Sequence, residues 1–232
     1  MAISKKLKWR RAINELKYLY EELELVREIC KTASRDFEAY YREYCARPEV
    51  GIDIGALERQ NSERMAALFG KTEVPDDEEA EQEPEITPGA LICVDTPDSD
   101  TAGADSFTKE DKEIHEIFSK LFKKIAIALH PDKVSALDIS PFLAKEMIDT
   151  FKSAKKAYDE RKYFVLIEIA EKYEIYPPNN YSRQSKWFRR ESLRVQTLIA
   201  SEKNTYNYIF SECPDWQKDE LIRKFLNRLF GI

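Results

Sequence analysis

Several classes of protein are excluded by what this sequence lacks. No apolar run reaches the length of a bilayer-spanning helix, and the charged, amphipathic start is unlike a signal peptide, so neither membrane association nor export is expected. The four cysteines, Cys30, Cys45, Cys93 and Cys213, include no C-x-x-C pair. They therefore indicate reduced thiols rather than a zinc site or a disulfide framework. We expect a cytoplasmic protein, with the nucleus as the alternative.

Catalytic patterns are also missing. We find no phosphate-binding loop, no cluster of metal ligands and no paired nucleophile and base. No catalytic residue, metal or cofactor is therefore predicted, and the chain is not expected to be an enzyme. Alternating strand-like segments of useful length are absent outside residues 71–107, so the sequence predicts an all-α fold.

Lysine and arginine are absent between Thr72 and Thr108, where twelve acidic residues and four prolines occur. The rest of the chain carries 37 basic residues against the remaining 31 of the 43 acidic ones, although the net charge is −6. This composition predicts a disordered acidic linker over residues 71–107 that joins mildly basic folded parts.

One apolar run interrupts the predicted linker. Leu91, Ile92 and Val94 precede Asp95 and further acidic residues, and this pattern resembles a SUMO-interacting motif. Such a segment would add a strand to an exposed sheet edge of a SUMO-like partner. The alternative is an incidental apolar patch in a linker.

The start of the chain is strongly helical in pattern. Residues 5–46 contain neither proline nor glycine, and their apolar residues recur at spacings of three and four, as in a coiled-coil seam. Pro48 and Gly51 end this helix, and a second helix is predicted over residues 54–69. Together they predict an N-terminal helical hairpin over residues 1–70.

A C-terminal helical region is predicted over residues 177–232, with a long helix at roughly 183–210 and a terminal helix beyond Pro214. Lys186, Arg190 and Arg194 fall at i, i+4 and i+8 beside a tryptophan. Basic residues among aromatics can bind nucleic acid. A solvated face, or a partner for the acidic linker, fits the acidic chain better, so nucleic-acid binding is not expected.

The segment between linker and C-terminal region predicts an antiparallel helical hairpin. Thr108 and Asp111 fit a capping box at the start of its first helix, which runs to Leu129. Ser140 and Pro141 fit the N-cap and first turn of its second helix. Residues 163–175 either extend that helix or form a further short one.

The stretch IALHPDKV lies at the tip of this hairpin. Proline lacks the backbone donor that a helix interior needs, and it pushes the preceding residue out of helical geometry. His130 is therefore predicted to end the first helix, with Asp132 and Lys133 displayed on a turn.

The residues around that tip carry a family resemblance. Two basic residues and an Ala/Leu-type run precede a His-Pro-Asp-Lys sequence, and a matching pattern follows in the second helix. These residues are Phe122, Lys123, Lys124, Ile125, Ala126, Ile127, Ala128, Leu129, His130, Pro131, Asp132 and Lys133, then Phe151, Lys152, Ala157 and Tyr158. Residues 108–176 thus resemble the J domain of DnaJ-like co-chaperones. Val134 stands where asparagine is common, and the family's first helix is not recognisable before Thr108, so the chain resembles a divergent member of the class that shares only the J domain.

The resemblance implies a role. J domains bind a DnaK-type heat-shock chaperone and stimulate its ATP hydrolysis. Lys120, Lys123, Lys124 and Lys133 would face an acidic chaperone surface. Asp132 would accept a charge-assisted bond from a partner arginine, Pro131 would hold the turn and His130 would offer ring hydrogen bonds. The client is not named by the sequence, and the alternative function is a structural or scaffold protein with a degenerate J-like hairpin.

Other side chains of the hairpin are assigned to its core or its surface. Phe122, Ile125, Phe151, Ala154 and Tyr158 recur at helical spacing and are expected in the hairpin core. His115, among charged neighbours and without a nearby cysteine, is expected at the surface.

Overall fold

The computed structural model describes residues 2–69 and 108–231. All regular structure in these two ranges is α-helical and they contain no strand, which confirms the all-α prediction. The helices are α1 Ala2–Ala46, α2 Ile54–Phe69, α3 Lys109–Leu129, α4 Pro131–Ser135, α5 Pro141–Asp159, α6 Tyr163–Lys172, α7 Tyr181–Lys203, α8 Tyr206–Glu212 and α9 Asp215–Phe230. The predicted acidic linker, including the motif of Leu91, Ile92, Val94 and Asp95, lies outside the described residues.

The chain divides into two compact units. The first contains Met1–Glu21 and Asp100–Gln196, and the second contains Glu22–Ser99 and Thr197–Ile232. These units differ from the four segments predicted from sequence, because α1 and α7 each contribute residues to both units.

The first unit is organised around the hairpin of α3 and α5. Thr108 caps α3 in a complete capping box with Asp111, and Ser140 caps α5 ahead of Pro141, as predicted. The buried face of α3 consists of Ile114, Phe118, Leu121, Ile125 and Leu129. Helix α6 packs against both α3 and α5. It is a separate helix because Arg161, with φ 58°, adopts the left-handed conformation that commonly ends a helix.

Residues from α1 and α7 complete this unit. Trp9 is 1% exposed, and its indole N–H donates to Oε1 of the fully buried Gln184 at 2.7 Å. Arg10 donates from both terminal nitrogens to the carboxylate of Glu171, each at 2.7 Å. The core therefore extends well beyond the predicted hairpin.

The second unit has an aromatic core contributed by α1, α8 and α9. The Phe37 ring meets Phe210 and Phe225 edge-on, at centroid distances of 5.4 Å and 5.0 Å. Asp219 of α9 accepts from Tyr40 and Arg47, each at 2.7 Å. These contacts bind α9 to the C-terminal half of α1.

One predicted helix of the C-terminal region is divided. The expected helix over residues 183–210 ends at Lys203, and α8 begins at Tyr206. Thr205 separates them: its backbone is extended, and its side-chain oxygen accepts from the Tyr208 N–H. A threonine hydroxyl that caps a new helix competes with continuation of the old one.

Candidate functional site

Helix α3 has two contrasting faces along its C-terminal half. One face is buried in the first unit through Leu121, Ile125 and Leu129. The opposite face exposes Lys120, Lys123 and Lys124. The 3.6-residue period of the helix separates these two sets, because the apolar residues recur at spacings of four.

Lys120, Lys123 and Lys124 of α3 and Lys133 of α4 have no ion-pair partner among the described residues. The same helix behaves differently at its start. Glu110 accepts from Lys186 at 2.6 Å, and Glu113 accepts from Arg183 at 3.0 Å. Intramolecular pairing thus neutralises the carboxylates Glu110 and Glu113 at the start of α3, whereas the lysines of its second half have no such partner in the described part of the chain.

His130 lies at the junction that follows this basic face. It ends α3, as predicted, with backbone angles φ −58° and ψ 132°. Its Nδ1 accepts from the Asp132 backbone N–H at 3.3 Å. A neutral imidazole that accepts at Nδ1 carries its proton on Nε2, so Nε2–H is the ring group left to donate to a partner.

The predicted turn after His130 is a one-turn helix, α4. Pro131 occupies its first turn, where a missing N–H costs nothing. Val134 anchors α4 with only 1% of its surface exposed, and the Ser135 hydroxyl donates to the Pro131 carbonyl at 2.8 Å. Asp132 therefore sits on a fixed backbone while its side chain is 91% exposed.

The aromatic residues expected in the hairpin core differ in burial. Ile125 and Ala154 are buried as predicted, but Phe122, Phe151 and Tyr158 are only partly buried. Phe122 and Tyr158 stack on each other at 4.7 Å, and Phe151 meets the His130 ring edge-on at 5.9 Å. Phe151 thus supports the ring of His130 as well as the hairpin.

His115 is partly buried, so its predicted surface position is wrong. Its Nδ1 lies 2.8 Å from the hydroxyl of Tyr163 and its Nε2 lies 3.0 Å from the hydroxyl of Tyr158. The ring bridges α5 and α6. The sequence around His115 could not predict these two contacts, because Tyr158 and Tyr163 belong to other helices.

The basic stripe of α7 is matched by acidic groups of its own unit. Lys186 and Arg190 pair with Glu110, and Arg190 also pairs with Asp111. Arg194 pairs with Glu191 at 2.6 Å. The hydrogen bond from Lys186 is the main reason why the pKa of Glu110 lies below its ordinary value. The stripe therefore fixes α7 to the start of α3.

Exposed apolar side chains near the hairpin tip were missed by the sequence reasoning. Ile127 precedes the junction, and Leu137, Phe142 and Leu143 follow it, with Phe142 as much as 79% exposed. The available signal was the placement of Phe142 and Leu143 two and three residues after the N-cap Ser140, in the first turn of α5. A side chain in the first turn of a helix has no earlier turn of that helix to pack against, so it stays exposed unless another element covers it.

The described residues contain no group of three or more histidine, cysteine, aspartate or glutamate side chains placed to hold a metal ion. None of the described helices combines the length and the apolar character that a membrane crossing requires. Binding of a SUMO-like partner stays a prediction, because the motif of Leu91, Ile92, Val94 and Asp95 lies outside the described residues. Comparison of the chain with protein-family models, with curated proteins and with solved structures gave no match.

Proposed function

We propose that this chain is a J-domain co-chaperone that binds a DnaK-type heat-shock chaperone and stimulates its ATP hydrolysis for a specific client or assembly. The observation that carries the proposal is the junction after α3. There an exposed imidazole and a 91% exposed carboxylate follow a helix face of lysines that have no partner among the described residues. The agreement of this geometry with the His-Pro-Asp-Lys resemblance supports it.

The charges have distinct roles in the proposed complex. Lys120, Lys123 and Lys124 steer an acidic chaperone surface toward the hairpin and set its register, since exposed charges act on association and orientation more than on affinity. Asp132 accepts a charge-assisted hydrogen bond from a partner arginine. His130 donates through Nε2–H, and Pro131 and α4 hold both side chains in place.

The chain itself performs no chemistry in this proposal and needs no cofactor. The hydrolysed ATP belongs to the chaperone, which the co-chaperone only activates. A cytoplasmic location, with the nucleus as the alternative, would place it beside such a chaperone and fits its unpaired thiols.

A scaffold protein with a degenerate J-like hairpin is the alternative. It is favoured by the extent to which other helices are built into the same unit, as in the contacts of Trp9 with Gln184 and of Lys186 with Glu110. A hairpin embedded in this way could have kept its shape for packing alone. The two functions differ in whether the His130 junction acts on a chaperone.

Single-turnover ATP hydrolysis by a purified DnaK-type chaperone distinguishes them. The wild-type chain should accelerate hydrolysis, and His130→Gln and Asp132→Asn should lose the acceleration. Substitutions at exposed positions cost less than about 0.5 kcal/mol, so circular-dichroism melting should stay unchanged. Asp138→Asn is the matched control, because Asp138 is exposed in the loop after α4. Undiminished acceleration by His130→Gln would refute the co-chaperone function.

A further inference from the structure

The second unit contains a groove that the proposed chaperone interaction does not use. It has a volume of about 680 Å³ and is lined by residues of α1, α8 and α9. The partly exposed Ile29 and the mostly buried Ala33 and Phe210 form its apolar floor, and Thr32 and Ala39 are small residues of the same lining.

Three carboxylates border this groove along α1. Glu28, Asp36 and Glu43 are exposed and have no ion-pair partner among the described residues. They are eight and seven residues apart, which places them about 12 Å and 10 Å from one another along the helix axis. The acidic edge is therefore about 22 Å long, the length of about fifteen helical residues.

The positive charge in the lining is already used. Lys218 donates to Asp215 at 2.7 Å, and its ammonium group lies 4.8 Å from the centre of the Phe210 ring. The hydroxyl of Tyr40 is likewise committed to Asp219 at 2.7 Å. The groove thus combines a small apolar floor with three carboxylates that have no ion-pair partner among the described residues.

We propose that this groove binds a basic amphipathic helical segment of another protein. An apolar stripe on that helix would cover Ile29, Ala33 and Phe210, as in other helix-in-groove complexes. Lysine or arginine residues spaced by seven or eight along its edge would face Glu28, Asp36 and Glu43. The surface is independent of the His130 junction, so it can bind a second partner, such as a client or an assembly factor.

Charge argues against the other occupants. Residues 72–108 of the chain itself contain twelve acidic and no basic residues, so they are repelled by the groove, as are nucleic acids and anionic membranes. The basic run near the N-terminus of a second copy is the other candidate. Its Arg10 is bonded to Glu171 and its Trp9 is buried, which holds this part of α1 in its own unit, although Lys5, Lys6, Lys8 and Arg11 are exposed. A second copy is therefore an outcome that the sedimentation experiment below detects.

Two synthetic peptides of about sixteen residues test the proposal with the full chain. Both share one face of leucine and alanine; one carries lysine at first, ninth and sixteenth positions and the other carries glutamate there. Fluorescence anisotropy at about 0.1 M salt should show the lysine peptide binding at least about tenfold more tightly. The amide signals of Thr32, Ala39 and Ser211 in a 15N-labelled chain should shift on titration.

Matched variants locate the binding. Glu28→Gln, Asp36→Asn and Glu43→Gln together should weaken the lysine peptide at least about fivefold, since exposed ion pairs are individually weak. The control replaces Glu24, Glu49 and Glu63 by glutamine, which removes the same charge from exposed positions outside the groove. This control variant should weaken binding of the lysine peptide less than about twofold, because its charges act only through long-range attraction that salt screens.

Three results would overturn the proposal. Equal binding of the lysine and glutamate peptides would show that the acidic edge has no role. Equal weakening by the groove variant and the control would show non-specific attraction. Concentration-dependent self-association in sedimentation, abolished by the groove variant, would identify a second copy of this chain as the occupant.

Discussion

Asp111 offers the sharpest test of how the first unit is held together. Its carboxylate accepts from the Thr108 backbone N–H at 3.1 Å and from the Trp187 indole N–H at 3.0 Å, and it pairs with Arg190. Its side chain is 23% exposed. One residue thereby caps α3 and fixes α7 against it, so Asp111→Asn should loosen both contacts while keeping the side-chain size.

The expected loss of stability follows from the hydrogen bonds whose acceptor is no longer charged in Asp111→Asn. Bonds to a charged group contribute about 1.5–3 kcal/mol and neutral ones about 0.5–1.5 kcal/mol. Arg190 keeps a longer contact with Glu110 at 3.7 Å, which offsets part of the loss. We expect Asp111→Asn to lower the free energy of unfolding by about 2 kcal/mol at neutral pH.

The same group predicts a pH dependence. Burial alone would raise the pKa of Asp111, but hydrogen bonds from Thr108 and Trp187 and the charge of Arg190 outweigh it and lower the pKa. A carboxylate with a lowered folded pKa stabilises the fold above its unfolded pKa of about 3.9. That stabilisation is lost as the pH falls through the folded pKa, so wild type and variant should converge in acid.

Urea unfolding followed by circular dichroism at pH 7 and below pH 3 measures both effects. Asp138→Asn is the control and should match the wild type at both pH values, because Asp138 is exposed in a loop. A variant within about 0.5 kcal/mol of wild type at pH 7, or a difference that persists undiminished in acid, would refute the assigned role of Asp111.

Three further predictions concern the cores. Asn207 is fully buried, and neither atom of its side-chain amide has a hydrogen-bond partner. Asn207→Leu should therefore raise the free energy of unfolding by about 1–2 kcal/mol. A lower free energy of unfolding in urea denaturation would contradict this. Phe151→Ala should lower the free energy of unfolding by about 2 kcal/mol, which is less than for a fully buried phenylalanine, because the ring is only partly buried. A loss above about 4 kcal/mol in the same assay would contradict this. Burial raises the pKa of both Tyr41 and Tyr163 to about 12. Their protonated forms therefore stabilise the fold up to pH 10 and lose that effect toward pH 12, and absorbance titration at alkaline pH should show tyrosines that ionise late.

Local patterns predicted local structure well. The capping residues Thr108, Asp111 and Ser140 were recognisable because a cap depends on side chains within three residues of one another. The end of α3 at His130 was predictable for the same reason, since proline acts on its immediate neighbours. The all-α class followed from helical spacing in the segments outside residues 71–107.

Contacts between distant segments were not predictable in this way. The bond from Trp9 to Gln184 spans 175 residues, and neither residue differs locally from an ordinary helix position. The pairing of the α7 stripe with Glu110 and Asp111 was missed for a related reason. The sequence predicted either a solvated basic face or a partner for the acidic linker, and only the packing of α7 against α3 shows which carboxylates pair with it.

The charged side chains that have no ion-pair partner among the described residues support the two proposed binding functions. Arg183, Lys186 and Arg190 of α7 pair with the acidic groups at the start of α3, so these charges contribute to the fold. The lysines of α3 remain positive in the first unit, and Glu28, Asp36 and Glu43 remain negative in the second. In the proposed complexes, an acidic chaperone surface would be attracted to the first and repelled by the second, and a basic helix would have the reverse preference. One chain would then bind the two proposed partners at different surfaces, as we propose for a co-chaperone that delivers a client.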